Sequence, residues 1–245
     1  MHSSKSELNV QVAPSTPDDQ ATNPGALPDD FYDKKDVYYQ ATRPELLPYF
    51  PQDGKTVLDV GCGEGWFGDG LKRTFGAEVW GVDISEASIA IAENNLDKAL
   101  LADVTTNLEL LPDSYFDIIY FNDVLEHMVD PYTLLSNISA KLSDNGIVVA
   151  SIPNIMHHKV LWNLIFKHDF RYENAGVMDE THLRWFTRKS MMRLFSDAGF
   201  INVKTDPVFK TKSFRPLVMQ IATLGLIGRD ISYPQFIVSA KKAKP

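Results

Sequence analysis

The stretch whose reading decides the fold is VLDVGCGEGW, residues 57–66. Val57 to Val60 is a short apolar, β-branched run, and Gly61, Gly63 and Gly65 follow it in a loop that opens a helix. A buried strand emptying into such a loop presents backbone N–H groups to a nucleotide-like ligand at the carboxyl edge of an α/β sheet. The spacing departs from the dinucleotide fingerprint G-x-G-x-x-G, because Trp66 holds the place of the last glycine. Asp59 stands just ahead of the loop, inside the strand end. A pyrophosphate has no use for a carboxylate there, whereas a ligand with a cationic α-amino group does.

Working outward, short β-branched runs alternate with helical patterns, which predicts βαβ units and a mostly parallel sheet. Strands are predicted at 56–60, 78–82, 100–102, 115–122 and 146–152. Helices are predicted over 65–74, after Ser85 as N-cap, and over 131–142 with proline in the first turn. Beyond Pro153 an apolar helix at 160–166 and an aromatic, charged loop to Phe186 form a substrate cap over about 153–187. A helix at 187–198 follows. Two last strands, 200–208 and 235–240, are expected as an antiparallel hairpin at the sheet edge, separated by an apolar helical insert within about 213–228. That insert reads as core packing or a dimer contact; with only Lys210, Lys212, Arg215 and Arg229 around it, membrane contact is not expected, and a homodimer stays open.

Composition narrows the function classes. A chain of 245 residues with 44% hydrophobic content supports one substantial core, expected over 31–245, whereas residues 1–30 are too polar to bury enough surface and are expected as a disordered tail. A net charge of -8 without a basic block argues against nucleic acid and for a small-molecule partner. The single cysteine, Cys62, permits no intrachain disulfide and suits a cytoplasmic setting. It reads as a small residue packed beside the ligand, with a reactive thiol as the alternative. Neither a secretory h-region nor a membrane span is visible.

Two further aspartates extend the pattern. Asp83, followed by Ile84, ends the second strand, where a carboxylate accepts from ribose hydroxyls; NAD sites use the same device. Asp103 ends the third, where a carboxylate can accept from an adenine amino group while Val104 offers its backbone N–H. The competing reading is that these aspartates cap the following helices or turns. An amine, a ribose and an adenine without phosphates describe S-adenosylmethionine.

VLDVGCGEG, VWGVDIS, ALLADVT, FDIIYFNDVLEHMVDP and GIVVASIPN resemble the successive motifs of class I S-adenosylmethionine-dependent methyltransferases, over about residues 37–241. The later segment FRYENAGVMDETHLRWFTRKSMMRLFSDAGF is similar to a subgroup associated with sugar and surface-polysaccharide biosynthesis. The resemblance implies a Rossmann-like, doubly wound α/β fold with a seven-stranded sheet, mostly parallel with one antiparallel strand. It also implies cofactor contacts from Asp59, Gly61, Cys62, Gly63, Gly65, Trp66, Asp83, Ile84, Asp103, Val104, Asn122, Asp123 and Val124. On the same analogy Tyr39 and Arg43 fold over the cofactor, Arg43 pairing with its methionine carboxylate; a surface helix start at Arg43-Pro44 is the other reading.

After the fourth strand, His127 is the first candidate for general base, or else a residue that only hydrogen-bonds its loop. His157 and His182 compete with it. His182 with Arg184 and Tyr172 can bind a polar or anionic acceptor, or His182 can anchor structure through Glu180 or a backbone carbonyl. Glu126, His127 and Asp130 offer metal ligands, but neither an H-x-x-x-H nor a cysteine spacing is present and no metal is expected. The expected activity is O-methylation of a sugar or surface-glycan precursor. Its rivals are O- or C-methylation of a quinone or aromatic compound, with an apolar cap around Trp162, Phe166 and Trp185, and N-methylation of an amino sugar. Outside methyl transfer stand a cofactor-binding scaffold or regulator and an NAD-dependent oxidoreductase.

Overall fold

The structure, a computed structural model, describes residues 43–243. Tyr39 and the expected tail over 1–30 lie outside the described residues. Along the chain run β1 (Thr56–Val60), α1 (Trp66–Phe75), β2 (Glu78–Asp83), α2 (Glu86–Asn95), β3 (Lys98–Leu101), β4 (Phe116–Asn122) and α3 (Pro131–Ile138). Then follow β5 (Leu142–Pro153), α4 (His158–Phe166), α5 (Arg188–Asp197), β6 (Ile201–Val208), α6 (Arg215–Ala222) and β7 (Gln235–Lys241). The strands form one seven-stranded sheet in the order β3-β2-β1-β4-β5-β7-β6. Only β7 runs antiparallel, between β5 and β6, so the expected architecture stands.

The two central strands are apolar on both sides because each face meets its own core. Leu58, Val60, Ile119 and Phe121 pack into one cluster, Val57, Ile118 and Tyr120 into the other. After β3 the chain returns to the far side of β1 to lay down β4. The crevice between the carboxyl ends of β1 and β4 is therefore the switch point of the sheet, where open α/β folds hold their ligands.

Local chemistry explains most boundaries. α1 starts after Gly65 and stops at Gly76, both left-handed with φ of 80° and 65°. Ser85 caps α2 as expected, its side chain accepting from the Ser88 N–H. Other elements differ from expectation. α3 gives way after Ile138 to a 3-10 turn, Ser139–Lys141, whose carbonyls at Ala140 and Lys141 accept from Ser114 and Tyr115. β5 begins at Leu142, earlier than Gly146, because the register jumps from Phe116↔Leu142 to Ile118↔Ile147 and the intervening residues bulge. The insert between β6 and β7 buries only Pro216 and Met219 of its helix, leaving Leu217, Val218 and Ile221 exposed, so it is not core packing. Among the described residues no helix is long and apolar enough to cross a membrane.

Candidate active site

The glycine loop is built from three left-handed residues, Gly61, Gly63 and Gly65, with φ of 69°, 53° and 80°. A Cβ on Gly61 would lie 2.5 Å from the Val124 side chain, so the loop and the segment after β4 close on each other only with glycine there. Asp83 ties the loop to the end of β2, accepting from the Gly63 N–H at 2.8 Å and the Ser85 N–H at 2.9 Å. Burial raises its pKa despite these bonds. Cys62 is buried, and burial followed by the charges of Asp59 and Asp83 pushes its thiol up, away from thiolate chemistry. It packs against Gly81, where a Cβ would lie 2.6 Å from the sulfur.

Asp59 is 1% exposed, and its carboxyl is pushed up to about 7 by burial and by the Asp83 charge. Arg43 and a 3.1 Å bond from Asn122 act in the opposite direction. Among the described residues, Tyr120 Oη and Asn122 Oδ1, on the neighbouring strand β4, are buried without a hydrogen-bond partner, as is Ser151 Oγ on β5. A buried carboxyl whose pKa burial has raised, with unused polar atoms on the adjoining strands, fits a ligand that brings a cation and hydrogen bonds of its own. Arg43 reaches the same strand ends, where its guanidinium donates to Asp123; the other oxygen of Asp123 accepts from Gln235. Its side chain is 13% exposed, which overturns the surface-helix reading.

The outer edge is more open. Asp103 is exposed, and its Oδ1 accepts from the Thr105 N–H and hydroxyl at 2.9 and 2.6 Å, the turn-capping geometry foreseen as the competing reading. Val104 is buried behind it, Ile84 is exposed beside Asp83, and Trp66 donates its indole N–H to Glu64.

Beyond β4, the 3-10 turn Leu125–His127 is clamped from above: the Glu126 carbonyl accepts from the N–H groups of Leu183 and Arg184 at 2.8 and 2.9 Å. This clamp brings the His127 and His182 rings to a centroid distance of 4.7 Å and sets His182 Nε2 4.0 Å from a Glu126 carboxylate oxygen. His127 Nδ1 lies 3.0 Å from the Thr181 carbonyl and His182 Nδ1 3.2 Å from that of Val177. Nothing in the local sequence links His182 to Glu126; only the clamp does. The expected grouping of His182, Arg184 and Tyr172 is not formed. Arg184 donates to the Val129 carbonyl at 2.5 Å, while Tyr172 joins Phe170 and Trp185 in a ring cluster with centroids 5.7 to 5.9 Å apart. Asp130 caps α3 through the N–H groups of Tyr132 and Thr133, away from metal ligation. His157 is buried against His158, and burial pushes its pKa down to about 4, which favours the neutral ring.

A methyltransferase-domain family profile matches residues 32–205. The ubiquinone biosynthesis O-methyltransferase of Bradyrhizobium diazoefficiens is 42% identical over 104 residues, covering 41% of this chain and 41% of that protein. The protein of the same name from Coxiella burnetii strain RSA 493 is 34% identical over 165 residues, 64% of this chain and 69% of its own length. The chain thus spans less than half of the first relative and about two thirds of the second. Among solved structures, a methyltransferase from Archaeoglobus fulgidus superposes with a TM-score of 0.61 at 25% identity, covering 87% of this chain and 97% of that one. Phosphoethanolamine N-methyltransferase 2 of Haemonchus contortus, solved with S-adenosyl-L-methionine, shares the fold with a TM-score of 0.58 at 17% identity, over 82% of this chain and 52% of that one. The sugar and polysaccharide subgroup finds no support among these relatives. A sheet switch point whose glycine loop lacks the dinucleotide spacing, and a family match over most of the chain, agree: this chain belongs to the S-adenosylmethionine-dependent methyltransferases.

Proposed function

We propose that the methyl acceptor is a hydroxyl on an aromatic ring, of the kind found in quinone precursors, rather than a sugar hydroxyl. The observation that carries this reading is the cap between β5 and α5. It carries a concentration of rings: Phe170, Tyr172 and Trp185 cluster, Trp162 and Phe166 lie 4.4 Å apart at a tilt, and Arg184 is engaged by a carbonyl. The ubiquinone O-methyltransferase relatives point the same way.

Bound S-adenosylmethionine supplies an electrophilic methyl on a sulfonium, a good leaving group. Asp59 then accepts from the α-ammonium group, Asp83 from the ribose, and the glycine loop turns its backbone to the ligand. Asp103 would accept from the adenine amino group with the carboxylate oxygen that Thr105 does not use. Arg43 and Asp123 hold the mouth of the crevice. The cluster of Glu126, His127 and His182 deals with the acceptor proton, because alignment alone leaves a hydroxyl a poor nucleophile. Incubation with methyl-labelled cofactor and separate pools of dihydroxylated aromatics, sugar nucleotides and amino sugars tests the reading by mass spectrometry. Label on an aromatic oxygen is expected; label confined to a sugar overturns it.

A further inference from the structure

We propose that α4 and the insert carrying α6 form one docking face for an anionic lipid bilayer, a contact with its surface and not a span. The two segments are distant in sequence and meet in the fold. The Arg215 guanidinium lies 5.3 Å from the centroid of the Trp162 ring, and Trp162 lies 4.4 Å from Phe166. Both segments also leave the same edge of the sheet. β6 is antiparallel to β7, and β7 to β5, so β6 ends at the edge where β5 ends and the ligand crevice opens. Docking therefore turns the cap side of the crevice toward the bilayer.

Along this face α4 exposes Leu164, Ile165 and Phe166, and α6 exposes Leu217, Val218 and Ile221. Beyond α6 two exposed leucines, Leu224 and Leu226, project from a hydrogen-bonded turn. The Gly225 N–H donates to the Gln220 carbonyl at 2.7 Å, the Leu226 N–H to that of Thr223 at 3.0 Å, and Gln220 Nε2 to that of Gly228 at 3.2 Å. Leu224 holds a left-handed backbone with φ of 50°, which a residue bearing a Cβ adopts only under strain. A bonded, strained turn that holds large apolar side chains in water suits a wedge entering the headgroup layer.

Charge selects the partner. Segments 157–168 and 207–229 hold Lys159, Lys167, Lys210, Lys212, Arg215 and Arg229 and no aspartate or glutamate, in a chain with 32 acidic side chains and a net charge of -8. Asp169 and Asp230 stand just outside them, and Asp230 is paired with Arg188 at 3.5 Å. Apolar side chains flanked by cations complement a bilayer with anionic headgroups. A second copy of this chain is the weaker occupant, because a two-fold interface sets a patch against itself and would bring these cations onto their own kind. Read along the sequence, the insert has only four cations around it, which is why membrane contact is not expected there. The fold adds Lys159, Lys167 and the exposed end of α4.

Vesicle binding is read without any methyl acceptor, so its outcome is independent of the aromatic-acceptor reading. The full chain is floated on a density gradient with phosphatidylcholine vesicles and with vesicles that also contain phosphatidylglycerol, at low and high salt, while S-adenosylhomocysteine binding reports the folded state. Binding to the phosphatidylglycerol vesicles is expected, and salt should weaken it. Leu224→Ser with Leu226→Ser should reduce it on the order of 10-fold, as should Lys210→Gln with Lys212→Gln. Leu110→Ser, at an exposed leucine between β3 and β4, should leave it unchanged. A folded chain that floats with neither kind of vesicle overturns the proposal, as does flotation indifferent to the leucine pair. Sedimentation velocity tests the other occupant: a dimer that the leucine substitutions dissociate makes this face a contact between copies and overturns the bilayer.

Discussion

Asp59 is enclosed at the end of β1, and its carboxyl titrates near 7 instead of the ordinary 3.8. The folded protein therefore binds this proton more tightly than the unfolded chain. The stability contributed by Asp59 is complete below about pH 4 and is lost as pH rises through about 7. A cofactor ammonium reverses the balance by favouring the ionised carboxylate. Two outcomes are expected. Affinity for S-adenosylhomocysteine should rise with pH and level off above about 7, which calorimetry across pH 5.5–8.5 will show. Asp59→Asn should raise the melting temperature of the ligand-free protein at pH 8 while weakening the ligand about 10-fold or more, the loss of a charge-assisted hydrogen bond. Asp59 was legible from sequence because it sits beside the glycines. His182 was legible only as one of several histidines, since its meaning depends on a clamp between remote loops.

Helices and strands were read best where their signals are local. Thr187 begins α5 as its sequence suggests, and the structure adds a capping box in which Ser190 N–H donates to Thr187 Oγ1 at 3.2 Å and Thr187 N–H to Ser190 Oγ at 2.9 Å. Thr187→Ala should cost about 1 kcal/mol in urea unfolding while leaving the denaturant slope unchanged. The ends of α3 and β5 were misread for one physical reason. Their last or first residues exchange backbone bonds with the chain entering β4, and such partners are invisible to periodicity. The glycine loop shows the converse. Its three glycines announce left-handed backbone directly, and only the reason for the first of them, the approach of Val124, needed the folded chain.

Across the whole molecule, apolar surface is distributed unevenly. The insert between β6 and β7 leaves Leu224 and Leu226 about nine-tenths exposed, at 92% and 89%, whereas Met219 beside them is at 4%. Leu224→Ser with Leu226→Ser should therefore shift unfolding by less than about 0.5 kcal/mol, and Met219→Ala should cost about 2–4 kcal/mol. Chemical denaturation of the variants distinguishes the two, and a large loss from the serine pair would mean that this face is covered. Sequence by itself determined the α/β alternation, the strand-to-glycine loop and the row of acidic strand ends, because each follows from neighbours a few residues apart. Folding decided which side chains meet. It enclosed Asp59, gave Arg43 to Asp123, spent Arg184 on a carbonyl and carried His182 to Glu126 and His127. Those outcomes depend on contacts between distant segments, whose geometry only packing and backbone hydrogen bonds between loops can set.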